Sequence, residues 1–95
     1  MQWNTEDKRA LLQAFMCVRS VDELRRFLRD LCTEGEIEEF AKRFSAAKML
    51  QQKVPYSSIE RQTGLSSTTV ARVARWLRKG AGGYRLVLGR LKKTL

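Results

Sequence analysis

Histidine is absent from the 95-residue sequence, proline occurs once, and cysteine occurs twice, as Cys17 and Cys32. Without histidine the chain lacks the most frequent general base and metal ligand, and the isolated cysteines lack the spacing of metal sites. We therefore expect no catalytic residue, no metal and no enzymatic activity. Each cysteine lies among apolar residues with helical spacing, so we predict two small buried hydrophobes rather than a disulfide.

Long apolar runs are also absent, and none approaches the ~18 residues that a membrane-spanning helix needs. Residues 1–10 are polar and charged and lack the apolar segment of a signal peptide. Hydrophobic residues make up 43% of the chain and charged residues 31%, which is typical of a globular protein of one domain. We predict a cytoplasmic protein with no membrane partner.

Acidic residues are missing from the last third of the chain. Residues 1–60 contain ten Lys or Arg and ten Asp or Glu, whereas residues 61–95 contain nine Lys or Arg and no acid. The formal net charge of +9 therefore lies entirely in residues 61–95. Because this segment also carries periodic apolar residues, a solvated tail is disfavoured. A polyanionic partner such as nucleic acid is indicated.

Apolar residues recur with the 3.6-residue period of helices throughout, and no stretch alternates as a strand does. We predict an all-α fold of six helices. The first three helices are each expected to follow an N-cap residue. These residues are Thr5, Ser20 in the pattern Ser20-x-x-Glu23, and Thr33 in the pattern Thr33-x-x-Glu36. Pro55 ends the third helix.

Three shorter helices are predicted after Pro55. One runs from Tyr56 or Ser57, with a third capping pattern Ser57-x-x-Glu60, to Gly64. The next is capped by Ser66 or Ser67 and runs to about Arg78, and Gly80 ends it. Ala81, Gly82 and Gly83 form a joint, and a last helix covers about 84–93.

Residues 56–77 carry the pattern of a helix-turn-helix. Gly64 supplies the turn residue with positive φ. The predicted shared core consists of Ile59, Leu65, Val70, Val73 and Leu77. The opposite face of the second helix has small and hydroxyl-bearing residues at its beginning and arginines further along, which is what reading of the DNA major groove requires.

We predict a DNA-binding surface of eleven residues, which lie on this face of the second helix and in the segment before it. Those expected at or near base edges are Ser57, Ser66, Ser67, Thr68, Ala71, Arg72 and Arg75. Those expected mainly at phosphates are Lys53, Arg61, Arg78 and Lys79. Glu60 stands where many such motifs have alanine, so this position does not support the motif. Two alternatives remain: an ordinary corner of two helices, or a basic helical interaction module that binds nucleic acid without operator specificity.

The sequence resembles the YerC/YecD family of Trp-repressor-like proteins over residues 31–91. The motifs that carry the resemblance are Leu31-Cys32-Thr33-x-x-Glu36-Ile37, the pair Ala41 and Arg43, the stretch Tyr56 to Val73, and the ending Gly82 to Leu91. The resemblance implies an all-helical, intertwined homodimer in which residues 1–95 form one domain. Within it, residues 1–54 dimerise, residues 56–78 form the helix-turn-helix, and residues 84–95 form the C-terminal helix.

The function that the resemblance implies is that of a transcriptional regulator, usually a repressor. Binding of a homodimer to a palindromic operator in double-stranded DNA is expected, with the protein associated with the nucleoid when bound. Two-fold symmetry would place the recognition helices about 34 Å apart, which is one turn of DNA.

Trp repressors bind L-tryptophan as a corepressor beside the recognition helix. By resemblance, the candidate effector-binding residues here are Arg43, Thr69 and Arg72. Val73 and Trp76 stand where that pocket has glycine and serine, and both are larger. We expect Trp76 to pack into the core and fill the slot, so L-tryptophan is not expected as a corepressor and no other cofactor is predicted.

Overall fold

The structure is a computed structural model that describes residues 1–94, with side chains described for residues 1–92. Over these residues the chain forms six helices and no strand, as predicted. They are α1 (Glu6–Met16), α2 (Val21–Leu31), α3 (Glu34–Gln51), α4 (Tyr56–Thr63), α5 (Ser67–Lys79) and α6 (Gly83–Thr94). Leu95, the last residue of the C-terminal segment predicted over 84–95, lies outside the described residues.

Local capping sets the beginnings of α1 and α2. The hydroxyl of Thr5 accepts a hydrogen bond of 3.3 Å from the amide of Lys8, and the hydroxyl of Ser20 accepts one of 3.1 Å from the amide of Glu23. The carboxylate of Glu23 reaches back to the amide of Arg19 at 2.9 Å, one residue before the cap. These bonds satisfy amides that have no partner within the helix.

The predicted capping box at Ser57 is wrong. The N-cap of α4 is Pro55, and no side chain caps this helix. The carbonyl oxygen of Pro55 accepts from the amides of Ser58 at 3.0 Å and Ile59 at 3.1 Å. Because the φ of −60° at Pro55 already suits entry into a helix, α4 begins at Tyr56 and Ser57 lies inside its first turn.

The chain forms two compact units, Met1–Glu34 and Gly35–Leu95. In the first unit, the rings of Phe15 on α1 and Phe27 on α2 meet edge to face, with centroids 5.2 Å apart. Neither α1 nor α2 contains a buried residue. The apolar residues of both helices are therefore exposed or half-buried within the chain.

The predicted burial of the two cysteines is wrong. Cys17 is exposed, Cys32 is half-buried, and both thiols are free. Each cysteine is the C-cap residue of its helix, where the chain leaves the apolar face on which the helical spacing would have placed it.

The second unit contains the core. Its buried side chains come from α3 to α6 and the turn between α4 and α5: Ala46, Ala47, Ile59, Leu65, Val70, Val73 and Leu88. Four of the five predicted helix-turn-helix core residues belong to this set, and the fifth, Leu77, packs against it. Burial of each large aliphatic side chain contributes about 1.5–3 kcal/mol, so Ile59, Val70 and Val73 stabilise the packing of α4 on α5.

Candidate nucleic-acid interface

The turn between α4 and α5 has the geometry that the helix-turn-helix pattern requires. Gly64 adopts φ +77° and its amide donates to the carbonyl oxygen of Glu60 at 2.9 Å. A Cβ at Gly64 would meet no atom within 4 Å, so glycine is needed for its backbone conformation rather than for space.

Thr63 contributes to this turn in a way that the sequence analysis missed. Its side chain is buried, and its hydroxyl donates to the carbonyl oxygen of Ile59 at 2.7 Å while accepting from the amide of Leu65 at 3.2 Å. One hydroxyl thus joins the end of α4 to the turn. A threonine directly before a turn glycine is the sequence signal, because its hydroxyl can bond to backbone groups on both sides.

Helix α5, the second helix of the helix-turn-helix, begins at a cap made by Ser66. The hydroxyl of Ser66 accepts from the amide of Thr69 at 3.1 Å and also bonds to the hydroxyl of Thr69 at 3.0 Å. The hydroxyls of Ser66 and Thr69 are therefore both hydrogen-bonded within the cap. Ser67 and Thr68, in the first turn of α5, have exposed side chains that are free of this cap.

All eleven residues predicted for DNA contact are exposed. They are Lys53, Ser57, Arg61, Ser66, Ser67, Thr68, Ala71, Arg72, Arg75, Arg78 and Lys79. The apolar residues of α5 lie on the other side of the helix, where Val70 and Val73 are fully buried. The sequence pattern of α5 therefore separates one face for the core from one basic, hydroxyl-bearing face for solvent.

Lys53 has an unusual backbone conformation, with φ +63°, the only positive φ of a residue other than glycine among residues 1–94. The amide of Lys53 donates to the carbonyl oxygen of Leu50 at 3.0 Å, and the amide of Val54 donates to that of Met49 at 3.0 Å. This pair of bonds is the Schellman motif, which usually places glycine where Lys53 stands. A charged residue thus occupies a strained position beside the start of the helix-turn-helix.

The three candidate effector residues have separate surroundings. Arg43 is half-buried and forms an ion pair of 3.1 Å with Glu39 on its own helix. Thr69 is engaged in the cap of α5, and Arg72 is exposed.

The expectation that Trp76 packs in the core is wrong, because 43% of this residue is exposed. Trp76 lines an open apolar cleft of about 550 Å³, whose other lining residues are Phe44, Gly80, Ala81, Gly83, Tyr84 and Val87. Arg43, Thr69 and Arg72 do not line it. Its place on α5 is at the edge of the buried stripe, about 60° from Val73 and 100° or more from Val70 and Leu77 at 100° per residue, so part of the indole is open to solvent.

Tyr84 is the titratable residue among those that line the cleft. Burial raises the pKa of the Tyr84 hydroxyl above its ordinary value, and the positive charge of Arg43 opposes a part of that rise. The hydroxyl is therefore protonated and neutral at physiological pH.

Comparison with known proteins agrees with this geometry. The family model of the Trp repressor protein matches residues 6–92. The chain belongs to the Trp repressor family. Among curated proteins, it is 38% identical over 84 residues to the Bacillus subtilis (strain 168) protein YerC, an alignment that covers 88% of this chain and 81% of YerC.

Two solved structures of the same family resemble the fold closely. A TrpR-like protein from Eubacterium eligens ATCC 27750 matches with a TM-score of 0.90 and 38% identity, over 95% of this chain and 93% of that one. A candidate Trp repressor from Staphylococcus aureus matches with a TM-score of 0.89 and 33% identity, over 97% and 95%. These relationships support the YerC type of the family and indicate a DNA-binding regulator.

Within residues 1–94, no helix has both the length and the apolar character to cross a bilayer. The same residues contain no group of three or more metal-ligating side chains that could hold a metal ion.

Proposed function

We propose that this Trp-repressor family member is a sequence-specific transcriptional repressor that binds a palindromic operator as a homodimer. The main support is the common exposure of the eleven predicted contact residues around a helix-turn-helix whose own core is buried. A rigid support of this kind holds the first turn of α5 so that its side chains can reach base edges.

The proposed chemistry of recognition divides α5 in two. Ser67 and Thr68 have short side chains that can approach base edges and donate or accept hydrogen bonds. Arg72 and Arg75 lie further along the helix at or near base edges, and Arg78 and Lys79 contribute charge toward phosphates. Since residues 61–95 contain no acid, this charge is not neutralised by neighbours in sequence.

The proposed homodimer is supported by the apolar residues that the chain leaves uncovered. In the unit Met1–Glu34, exposed large apolar residues include Leu11, Leu12, Phe15, Met16, Val21 and Leu31. A set of this size on α1 and α2 is more than a single chain ordinarily exposes to water. A second copy that covers these helices would bring two recognition helices to one operator.

The experiment that tests the repressor proposal is selection from a random pool of duplexes at physiological salt. We expect enrichment of a palindrome whose half-sites lie about one helical turn apart, near 34 Å. The Thr68→Ala/Arg72→Ala double variant should lose this enrichment. Folded wild-type protein that enriches no sequence would favour the alternative, a basic module that binds nucleic acid by charge alone.

The dimer is tested separately by sedimentation of two charge-matched variants. Leu12→Glu places a carboxylate on the exposed apolar face of α1, whereas Gln13→Glu places the same charge on an exposed polar position next to it. We expect the first variant to dissociate and the second to remain dimeric. Wild-type protein that sediments at the chain mass of 11.0 kDa would contradict the dimer.

We also propose that operator binding needs no L-tryptophan. Arg43 is already paired with Glu39, Thr69 is engaged in a cap, and neither residue lines the cleft beside Trp76. The melting temperature and operator affinity should therefore be unchanged by millimolar L-tryptophan. A clear rise in melting temperature would revive a corepressor role, because a ligand of the native state stabilises it by mass action.

A further inference from the structure

Arg78, near the end of the recognition helix, is held by residues of both neighbouring helices. Its guanidinium Nη1 donates to the hydroxyl of Tyr56 on α4 at 3.5 Å. Its carbonyl oxygen accepts from the guanidinium Nη2 of Arg85 on α6 at 3.3 Å. Tyr56 precedes Arg78 by 22 residues and Arg85 follows it by 7. Arg78 of α5 is thus hydrogen-bonded to one residue of α4 and one residue of α6.

The contact with Arg85 stabilises the last turn of α5. The final carbonyl groups of a helix have no partner within it, and Arg78 belongs to that turn. The amide of Gly80 satisfies the carbonyl oxygen of Trp76 at 2.9 Å, and Arg85 satisfies that of Arg78. A cation at this end of the helix also interacts favourably with the helix dipole.

The contact with Tyr56 acts on the side chain of Arg78. An arginine loses much rotamer freedom when it is fixed on a partner. A guanidinium that is already directed by a neighbouring hydroxyl loses less on binding. One N–H of the guanidinium faces Tyr56, and an arginine side chain carries five such donors, so others remain for an anion.

We propose that Tyr56 and Arg85 are positioning residues that hold Arg78 for contact with an operator phosphate. This inference rests on the proposed repressor function, in which Arg78 meets phosphate. Tyr56 directs the guanidinium from α4, and Arg85 fixes the backbone of the same residue from α6.

A double-mutant cycle tests the part played by Tyr56, using full-length protein and the selected operator. Tyr56→Phe removes only the hydroxyl, and we expect it to weaken operator binding about three- to tenfold. In the Arg78→Ala background the same change should have no further effect, because Tyr56 acts through Arg78. Tyr84→Phe is the matched control and should leave affinity within twofold of wild type.

A pair of variants on α6 tests the part played by Arg85. Arg85→Ala and Lys92→Ala each remove one positive charge from an exposed position of this helix. We expect Arg85→Ala to weaken operator binding severalfold more than Lys92→Ala does, and Arg85→Lys to restore most of the loss. Melting temperatures measured on each variant separate a change in folding from a change in binding.

The outcomes separate this inference from the proposed function. If wild-type protein binds an operator and Tyr56→Phe binds equally well, or loses the same factor with and without Arg78, the positioning role is wrong while the repressor stands. An Arg78→Ala variant that binds as wild type also overturns it, since nothing is then positioned. If wild-type protein selects no operator, the proposed function fails and this inference fails with it.

Discussion

The hydroxyl of Thr63 donates a hydrogen bond of 2.7 Å to the carbonyl oxygen of Ile59, one turn earlier on α4. The hydroxyl oxygen of Thr63 in turn accepts from the amide of Leu65 across the turn, and the side chain of Thr63 is buried. A single buried hydroxyl therefore replaces water for two backbone groups at the point where the helix-turn-helix changes direction.

Removal of this hydroxyl should destabilise the protein without changing its shape. Thr63→Val keeps the branched side chain but leaves the amide of Leu65 without this acceptor, at an expected cost of about 1–3 kcal/mol in the free energy of unfolding. Urea unfolding measures the loss. Thr68→Val makes the same change at an exposed position and should stay within about 0.5 kcal/mol of wild type. Equal effects at both positions would contradict the role assigned to Thr63.

Two glycine substitutions separate backbone conformation from space. Neither Gly64 nor Gly35 has an atom within 4 Å of an added Cβ, but only Gly64 has a left-handed backbone. Gly64→Ala should therefore lower the free energy of unfolding by about 1 kcal/mol or more. Gly35→Ala, in the first turns of α3, should raise it by about 0.5–1 kcal/mol. Thermal unfolding of both variants checks the opposite signs.

Lys53 offers a variant in which stability and DNA binding change in opposite directions. Lys53→Gly relieves the left-handed conformation and should raise the free energy of unfolding by about 0.5–1 kcal/mol. The same change removes a predicted phosphate contact, so the dependence of log affinity on log salt should become shallower by about 0.9. Lys53→Arg keeps the charge and the strain, and is expected to change neither quantity. A more stable variant with an unaltered salt dependence would remove Lys53 from the interface.

Arg75 is predicted to contribute through charge. Arg75→Ala should weaken operator binding and reduce the slope of log affinity against log salt by about 0.9. Titrations over a range of salt concentrations give this slope. Lys42→Ala, at an exposed position of α3, is the control for loss of one charge outside the predicted surface. An unchanged slope for Arg75→Ala would remove Arg75 from the interface.

Thr68 is predicted to contribute through base recognition. Thr68→Ala removes a hydroxyl and a methyl group from the first turn of α5, so affinity for the operator should fall by about 1–3 kcal/mol while affinity for random DNA stays nearly the same. Competition between operator and random duplexes measures the ratio. Equal losses on both would count against a role in reading bases.

Most local features of this chain, the cap predicted at Ser57 excepted, could be predicted from sequence because they depend on residues three or four positions apart. The side chains of Thr5, Ser20 and Ser66 each cap a helix through the amide three residues later. Gly64 ends α4 in the left-handed conformation expected of it. The apolar period of α5 likewise predicted the burial of Val70 and Val73, since both lie on one face of a regular helix.

The tertiary structure decided what lies against each face and which residues bear strain. Trp76 is an aromatic residue in a helical segment, and such residues are usually buried. Its indole lines an open cleft instead, because Val70, Val73 and Leu77 already occupy the side of α5 that faces the core. Lys53 takes a left-handed conformation because the bonds that end α3 require one at that position, whatever its side chain. Periodicity gives the direction of a side chain from its own helix. Which residue a side chain contacts depends on how segments distant in sequence pack together, as in the hydrogen bond between Arg78 and Tyr56.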